Sequence, residues 1–178
     1  MTALQTEFAN RAASHGHQDM LPHMHQLHQL AQMCRTAVEF GVRTGQSTIA
    51  IASGLESGGG GTLRSYDINE PSVEVPKSDT VSWTFERADT AKLELIKPCD
   101  LLFIDTLHNS DQVEAELKHS VMVRRYIALH DVYMFAQHGE QGGGIIKPIL
   151  EFLADNPEWQ VMRYYHSEWG LLVLNRVA

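Results

Sequence analysis

The sequence predicts an α/β domain built on a doubly wound, mostly parallel seven-stranded sheet that closes with an antiparallel hairpin. Three observations predict it. From Thr36 onward, short apolar runs alternate with longer amphipathic segments, as in parallel strands joined by crossover helices. The run CDLLFID (Cys99 to Asp105) is almost continuously apolar, as a strand covered on both faces must be. The last two runs, WQVMRYY and GLLVLNR, are joined only by HSEW (His166 to Trp169), which is too short for a crossover and forces them to pair antiparallel.

The chain is organised around TAVEFGVRTGQST (Thr36 to Thr48) and the apolar run IAIASGL that follows. Ala37, Val38 and Phe40 around Glu39 read as a short buried strand, and the second part reads as a helix ended by Gly54. Gly41 and Gly45 let the turn between them take conformations closed to other residues and pass close to a ligand. Thr44, Ser47 and Thr48 are candidate caps for the helix start. A strand, a glycine turn and a helix form a small-molecule site at the end of a parallel strand. The plainer alternative is an ordinary strand-to-helix connection.

Composition narrows the function. At 178 residues and 43% apolar, the chain has material for one well-buried domain. A net charge of -8 opposes condensation onto phosphate backbones, so bulk nucleic acid is not the expected partner. Cys34 and Cys99 lack finger or framework spacing, which fits a reducing cytoplasm. MTALQTEFAN has no basic start or apolar core, and no later run approaches a membrane span, so neither export nor a membrane is expected. A homo-oligomer is compatible with this composition.

In chain order, residues 1–18 are polar and expected to be loosely ordered, with a single domain from 19 to 178. DMLPHMHQLHQLAQMC reads as a helix capped by Asp19, with Leu21, Met24, Leu27, Leu30 and Ala31 at helical spacing, placed to lie over the site. His15, His17, His23, His25 and His28 invite a metal reading, but their mixed offsets and lack of a partner set favour a solvated helix face. After the loop Ser57 to Gly61, a second strand, TLRSYDI, carries Asp67 at its tip. An acid about twenty residues past a glycine turn suits ribose hydroxyls, since a carboxylate accepts from both. Pro71 to Asp79 reads as irregular or helical. The third strand is Val81 to Phe85, and ERADTAKLELI should then open a helix at Asp89 and Thr90. The fourth strand ends on Asp105 and leads to a helix capped by Ser110, and the fifth, RYIALHD, ends in His130 and Asp131. The loop Val132 to Gly144, with four glycines beside Tyr133, Met134, Phe135 and His138, reads as a mobile flap. A helix from Ile145 to Leu153 precedes the hairpin. No GxGxxG is present, because Val42 and Arg43 interrupt it, and a nicotinamide dehydrogenase would end in another parallel crossover.

EFGVRTGQST, Asp67, the ADT at Ala88 to Thr90, LLFIDTLH and ALHD, in this order, resemble the class I S-adenosylmethionine-dependent methyltransferases, which have a Rossmann-like fold. More closely, the chain is similar to the small-molecule O-methyltransferase group that includes macrocin and rhamnosyl O-methyltransferases and cephalosporin-hydroxylase-like proteins. The similarity runs from about Met20 to the C-terminus. Its more specific part is FID-x-x-H together with HD.

The resemblance implies S-adenosylmethionine as cofactor and a hydroxylated, sugar-like small molecule as acceptor. It places Glu39 and Gly41 at the methionine end, with Arg43, Thr44 and Ser47 in the adjoining turn. Asp67 falls on the ribose, Asp89 and Thr90 on the adenine, and Asp105 beside the cofactor. Metal-dependent relatives bind magnesium through carboxylates at the matching strand ends, so Asp105, His130 and Asp131 are the implied ligands of a divalent metal. A nitrogen at His130 departs from that pattern and admits a softer metal or none. The alternative is that Asp105 and Asp131 cap the following segments. Methyl transfer needs an in-line hydroxyl and a group to take its proton; His108 is read as that base, with His130 second. A domain of this fold that binds the cofactor without turnover is the other reading.

Overall fold

The computed structural model describes residues 1–14, 19–167 and 169–177. Five parallel strands, β1 (Thr36–Phe40), β2 (Gly61–Asp67), β3 (Val81–Arg87), β4 (Cys99–Ile104) and β5 (Val123–His130), are followed by the antiparallel β6 (Trp159–Tyr165) and β7 (Leu171–Arg176). The sheet order is β3-β2-β1-β4-β5-β7-β6, the mostly parallel, hairpin-ended α/β architecture expected. β1 pairs with β2 on one side and with β4 on the other. The chain therefore reverses its direction of travel at β1, opening a crevice at the carboxyl ends of β1 and β4.

Helices α1 (Ala3–Ala12), α2 (Met24–Gln32) and α3 (Gln46–Ser57) cover one face, and α4 (Ser110–Leu117) and α5 (Ile146–Asp155) the other. Val38, Phe40, Leu102 and Ile104 point into one core layer, while Ala37, Leu101 and Phe103 point into the opposite one, as the two-residue period of a strand requires. At the far end of the sheet, Asp100 accepts from the backbone N–H of Arg35 and Thr36 and pairs with Arg124. This ties β1, β4 and β5 together opposite the crevice. Cys34 and Cys99 are free and buried, and burial pushes both thiols up to about 12. Among the described residues, no helix is long and apolar enough to cross a membrane.

Three local expectations need correction. The segment expected to be loosely ordered carries α1, opened by a capping box in which Thr2 and Gln5 exchange hydrogen bonds. Leu4 and Phe8 share one face and are buried, and this short stripe on a polar background docks the helix onto α3. His15 and His17 lie outside the described residues. The helix expected to stop at Gly54 runs on to Ser57, and Gly54 serves packing: a Cβ there would lie 2.3 Å from the His28 carbonyl oxygen of α2.

After β3, the expected helix shrinks to one 3-10 turn, Thr90–Lys92. Six residues, Leu93 to Pro98, then lead to the start of β4. As helix they would advance about 1.5 Å each, and extended about 3.3 Å. Only the extended form returns the chain to the amino end of the sheet.

Candidate active site at the carboxyl ends of the central strands

The glycine turn after β1 sits directly against the end of β4. Gly41 has φ +89°, and a Cβ there would lie 1.8 Å from the Asp105 carbonyl oxygen. Its N–H donates to Tyr66 O at 2.8 Å. Gly45 at φ 75° forms the N-cap of α3, and no side chain caps this first turn. Thr44, Ser47 and Thr48 are thus not the caps their residue types suggested. Thr44 and Ser47 line the cavity, and Thr48 is turned inward, donating to Glu39 at 2.9 Å. An uncapped helix start at a cavity wall is a favourable place for polar or anionic ligand groups.

That cavity, about 640 Å³, is lined by Gly41, Arg43, Thr44, Ser47, Asp67, Asp89, Thr90, Asp105 and His108 among others. Asp67 Oδ2 accepts from the N–H of Val42 (2.8 Å) and Arg43 (3.2 Å), and Oδ1 accepts from Asn69 N–H (2.9 Å). It clamps the turn while facing the cavity. Arg43, itself at positive φ, pairs with Asp19, so Asp19 ties the entry of the covering helix to the turn rather than capping that helix. Arg11 of α1 also reaches the turn, donating to Thr44 O at 2.9 Å.

Glu39 does not line the cavity. It is wholly buried beneath the turn and accepts from Thr48 and from Ser65, at 2.6 Å. Burial pushes it up to about 7, against the hydrogen bonds of Ser47, Ser65 and Thr48, which favour the anion. A carboxyl that keeps its proton to about 7 when folded, and loses it near its ordinary 4.5 when unfolded, favours folding below 4.5. That contribution is lost as pH rises toward 7, by on the order of 3 kcal/mol. Glu39→Gln should therefore lose less stability than wild type between pH 4.5 and 7.5 in denaturant titrations. Parallel curves for the two proteins would show that Glu39 ionises normally.

Sequence reasoning missed a buried carboxylate behind the Asp89–Thr90 wall. Glu116 of α4 is fully buried and accepts from Thr90 Oγ, Thr106 Oγ (2.8 Å to Oε1) and Gln112 Nε2 (2.8 Å). Burial raises its pKa, while the donations from Thr90, Gln112 and Thr106 hold it back. The available signal was an acid four residues after Gln112, on the helical face that also carries Val113. Asp89 accepts from Ala91 N–H and pairs with Lys92 at 2.7 Å.

At the other end of the cavity, two acids meet two histidines. His108 Nε2 lies 2.8 Å from Asp131 Oδ2 and 3.4 Å from Asp105 Oδ1, and its ring stacks on Phe135 at 4.4 Å. His130 Nδ1 lies 3.0 Å from Asp131 Oδ1 and 3.6 Å from Asp105 Oδ1. Its Nε2 is 3.0 Å from Nδ1 of His23, whose Nε2 is in turn 3.0 Å from Ser167 Oγ. His23 is therefore a buried part of this cluster, while His25 stays exposed and His28 stacks on Phe8.

Burial disfavours charge on His108 and His130, but Asp105 and Asp131 outweigh it and raise both to about 10. Burial would raise the two carboxyls, yet the two imidazolium groups hold both below the usual range. His23 falls to about 4 through burial and the charge of His130. The buried part of the cluster thus sets two anions against two cations, with a third acid, the half-exposed Glu140, 3.3 Å from His108 Nδ1. His108 holds its proton at neutral pH, which runs against its reading as a ready base. His130 does not line the cavity; the structure places it 3.6 Å from Asp105, as a buried partner of the acids.

The ligand atoms that converge within 4.8 Å belong to Asp105, His108 and Asp131, so His108 takes the place expected of His130 in a metal set. Asp131 Oδ1 is buried and, although 3.0 Å from His130 Nδ1, makes no well-aligned hydrogen bond, and two carboxylates with one imidazole suit a divalent cation. These residues fit such an ion.

The loop expected to be a mobile flap is tied at several points. Phe135 N–H donates to Asp131 O, Glu140 N–H to His108 O, Ser110 N–H to Gly143 O, and Tyr133 N–H to Trp169 O. His138 bridges Gly143 within it. The glycines allow a folded-back hairpin turn whose backbone hydrogen-bonds to the segment after β4.

No curated protein matches the sequence. Among solved structures, the fold is similar to an O-methyltransferase from Bacillus cereus in complex with SAH (18% identity, 99% of this chain, 91% of that one, TM-score 0.65). It is equally similar to the O-methyltransferase TomG from Streptomyces achromogenes, involved in tomaymycin synthesis and solved with SAM (16% identity, 100% and 91% covered, TM-score 0.65). The SAH-bound methyltransferase PaMTH1 from Podospora anserina shares it too (13% identity, 100% and 89% covered, TM-score 0.62). Residues 38–132, from the second half of β1 to the residue after Asp131, match the family described as a methyltransferase domain. That span is more than half of the chain, and the protein belongs to this family, with the class I S-adenosylmethionine-dependent methyltransferase fold.

Proposed function

We propose that the protein transfers a methyl group from S-adenosylmethionine to a hydroxyl of a small, sugar-like acceptor in the cytoplasm, with a divalent metal assisting. The observation that carries this reading is a single cavity with a ribose-type acid, Asp67, at one side and the Asp105–His108 edge at another. Similar folds solved with SAM or SAH, two of them described as O-methyltransferases, support it. So does a rim of Asn69, Glu70 and Glu140, whose acceptors and donors suit a polyhydroxylated molecule.

In this reading the turn at Gly41 gives the methionine end room, Asp67 accepts from the ribose, and Asp89 and Thr90 border the adenine. Glu39 supports the turn from below. Asp105, His108 and Asp131 would hold the metal, which when bound lowers the pKa of a coordinated hydroxyl. Binding it there requires His108 to release the proton that the two carboxylates otherwise keep on it. A metal-free reading is favoured by one observation, the direct contact of His108 Nε2 with Asp131 Oδ2 at 2.8 Å. As an imidazolium, His108 would stabilise a developing oxyanion by its charge rather than remove the proton.

Incubation with S-adenosylmethionine and a panel of hydroxylated acceptors tests the proposal. S-adenosylhomocysteine should form only when an acceptor is present. Cofactor binding without turnover across the panel would favour the binding module over the enzyme. Asp67→Ala should weaken cofactor binding by about 1.5–3 kcal/mol, the worth of a charge-assisted hydrogen bond. Wild-type affinity by calorimetry would remove Asp67 from the ribose.

A further inference from the structure

Gln112 on α4 lines the cavity beside Asp89 and Thr90. Its amide nitrogen donates to Thr90 Oγ at 3.0 Å and to Glu116 Oε1 at 2.8 Å. The opposite orientation of the amide is closed to it. Thr90 directs its own hydroxyl hydrogen to Glu116 and so presents lone pairs to Gln112, and Glu116 also takes the hydroxyl of Thr106. A flipped amide would set its carbonyl oxygen against these acceptors. Both amide hydrogens are thus engaged inside the protein, and the polar group left to Gln112 on the cavity wall is its carbonyl oxygen. None of the described residues donates to that oxygen. Asp89, the other side-chain acceptor on this wall, is already engaged by Ala91 N–H and Lys92.

Resting on the reading that the cavity takes S-adenosylmethionine, we propose that Gln112 accepts from the 6-amino group of the purine, and that Glu116 fixes Gln112 in the one orientation that excludes 6-oxopurines. A 6-amino purine brings a donor to the free acceptor. A 6-oxo purine brings a second acceptor, so that two desolvated oxygens face each other with no hydrogen between them. Glu116 touches no ligand and is a positioning residue. Its replacement by an amide would remove the constraint, because a glutamine side chain can donate as well as accept and would let Gln112 turn over.

The test compares S-adenosylhomocysteine with S-inosylhomocysteine, identical except at the 6-position and the adjoining N1, by calorimetry on the full chain. Wild type should prefer the adenosyl ligand by on the order of 100-fold or more, as a site built around one hydrogen-bond donor does. Gln112→Leu and Glu116→Gln should each shrink that preference to about tenfold or less. A purely structural role would weaken both ligands together and leave the ratio intact. Equal wild-type affinity for the two ligands overturns the inference, whether or not either variant folds. An unchanged ratio in a folded variant also overturns it, as does a ratio that collapses only in Asp89→Asn. A wild-type protein that binds neither ligand would instead overturn the cofactor reading itself.

Discussion

Gly41→Ala should abolish cofactor binding and lower the melting temperature of the free protein. The added Cβ would sit 1.8 Å from the carbonyl oxygen of Asp105, far inside van der Waals contact, and that oxygen belongs to backbone that cannot rotate aside. The left-handed conformation adds about 1–2 kcal/mol for any residue with a Cβ. To relieve the collision, the turn must separate from β4 and give up the hydrogen bonds from Gly41 N–H to Tyr66 and from Asp105 N–H to Phe40. A combined cost above about 3 kcal/mol is expected, or about 6–12 °C in a domain of this size. Scanning calorimetry with and without S-adenosylhomocysteine reads both effects. An alanine variant with wild-type melting and affinity would mean that the turn does not rest on β4 in solution.

Asp131→Asn should reduce turnover by up to about 100-fold, the upper range for loss of a group that orients a site, while cofactor affinity changes little. Asp131 is 2% exposed and lies outside the cavity lining, so it has no surface to offer the cofactor. It stands 2.8 Å from His108 and 3.0 Å from His130. Asparagine keeps the volume and removes the charge that both the imidazolium pair and a divalent ion need. Either substitution leaves buried positive charge uncompensated, at about 3–5 kcal/mol, and alanine adds a cavity, so turnover of the asparagine variant is read at a temperature where its own melting curve shows it folded. Exhaustive chelation of wild type should likewise abolish turnover, with recovery on adding magnesium or manganese. Full activity after chelation would leave the charge-balanced cluster acting alone, with Asp131 as the partner of His108.

The parts of the fold that could be read from the sequence are those whose pattern is local. β4 is continuously apolar because it is buried on both faces, and the hairpin follows from the length of its connection. The place of Asp67, at the tip of β2 beside the glycine turn, was legible from its distance to that turn. What escaped depends on contacts distant in sequence. Two side chains, Leu4 and Phe8, dock α1, and nothing around them marks a helix face. His23 is 107 residues from His130, so no spacing could join them. Glu116 looks like an ordinary helix acid, since its donors Thr90 and Thr106 lie on other elements. The exchange of His108 for His130 in the acidic cluster depends on which way two rings point, and only coordinates show that. The length of sheet to be recrossed likewise overrode helix propensity after Asp89.

The seam between α2 and α3 bears on how this site could be retargeted. Gly54 and Gly58 press against the carbonyl oxygens of His28 and Gln32, each 2.3 Å from where a Cβ would stand. Two backbones in such contact move as one body, and α3 is itself buried along nearly its whole length. Widening the acceptor end by shifting α2 would carry α3 and the cofactor turn with it, trading a new substrate for a lost cofactor. The rim residues Asn69 and Glu70 are under no such constraint, because both are exposed at the edge of the cavity. Libraries that seek a larger or smaller acceptor should vary such rim positions and keep the helix pair fixed.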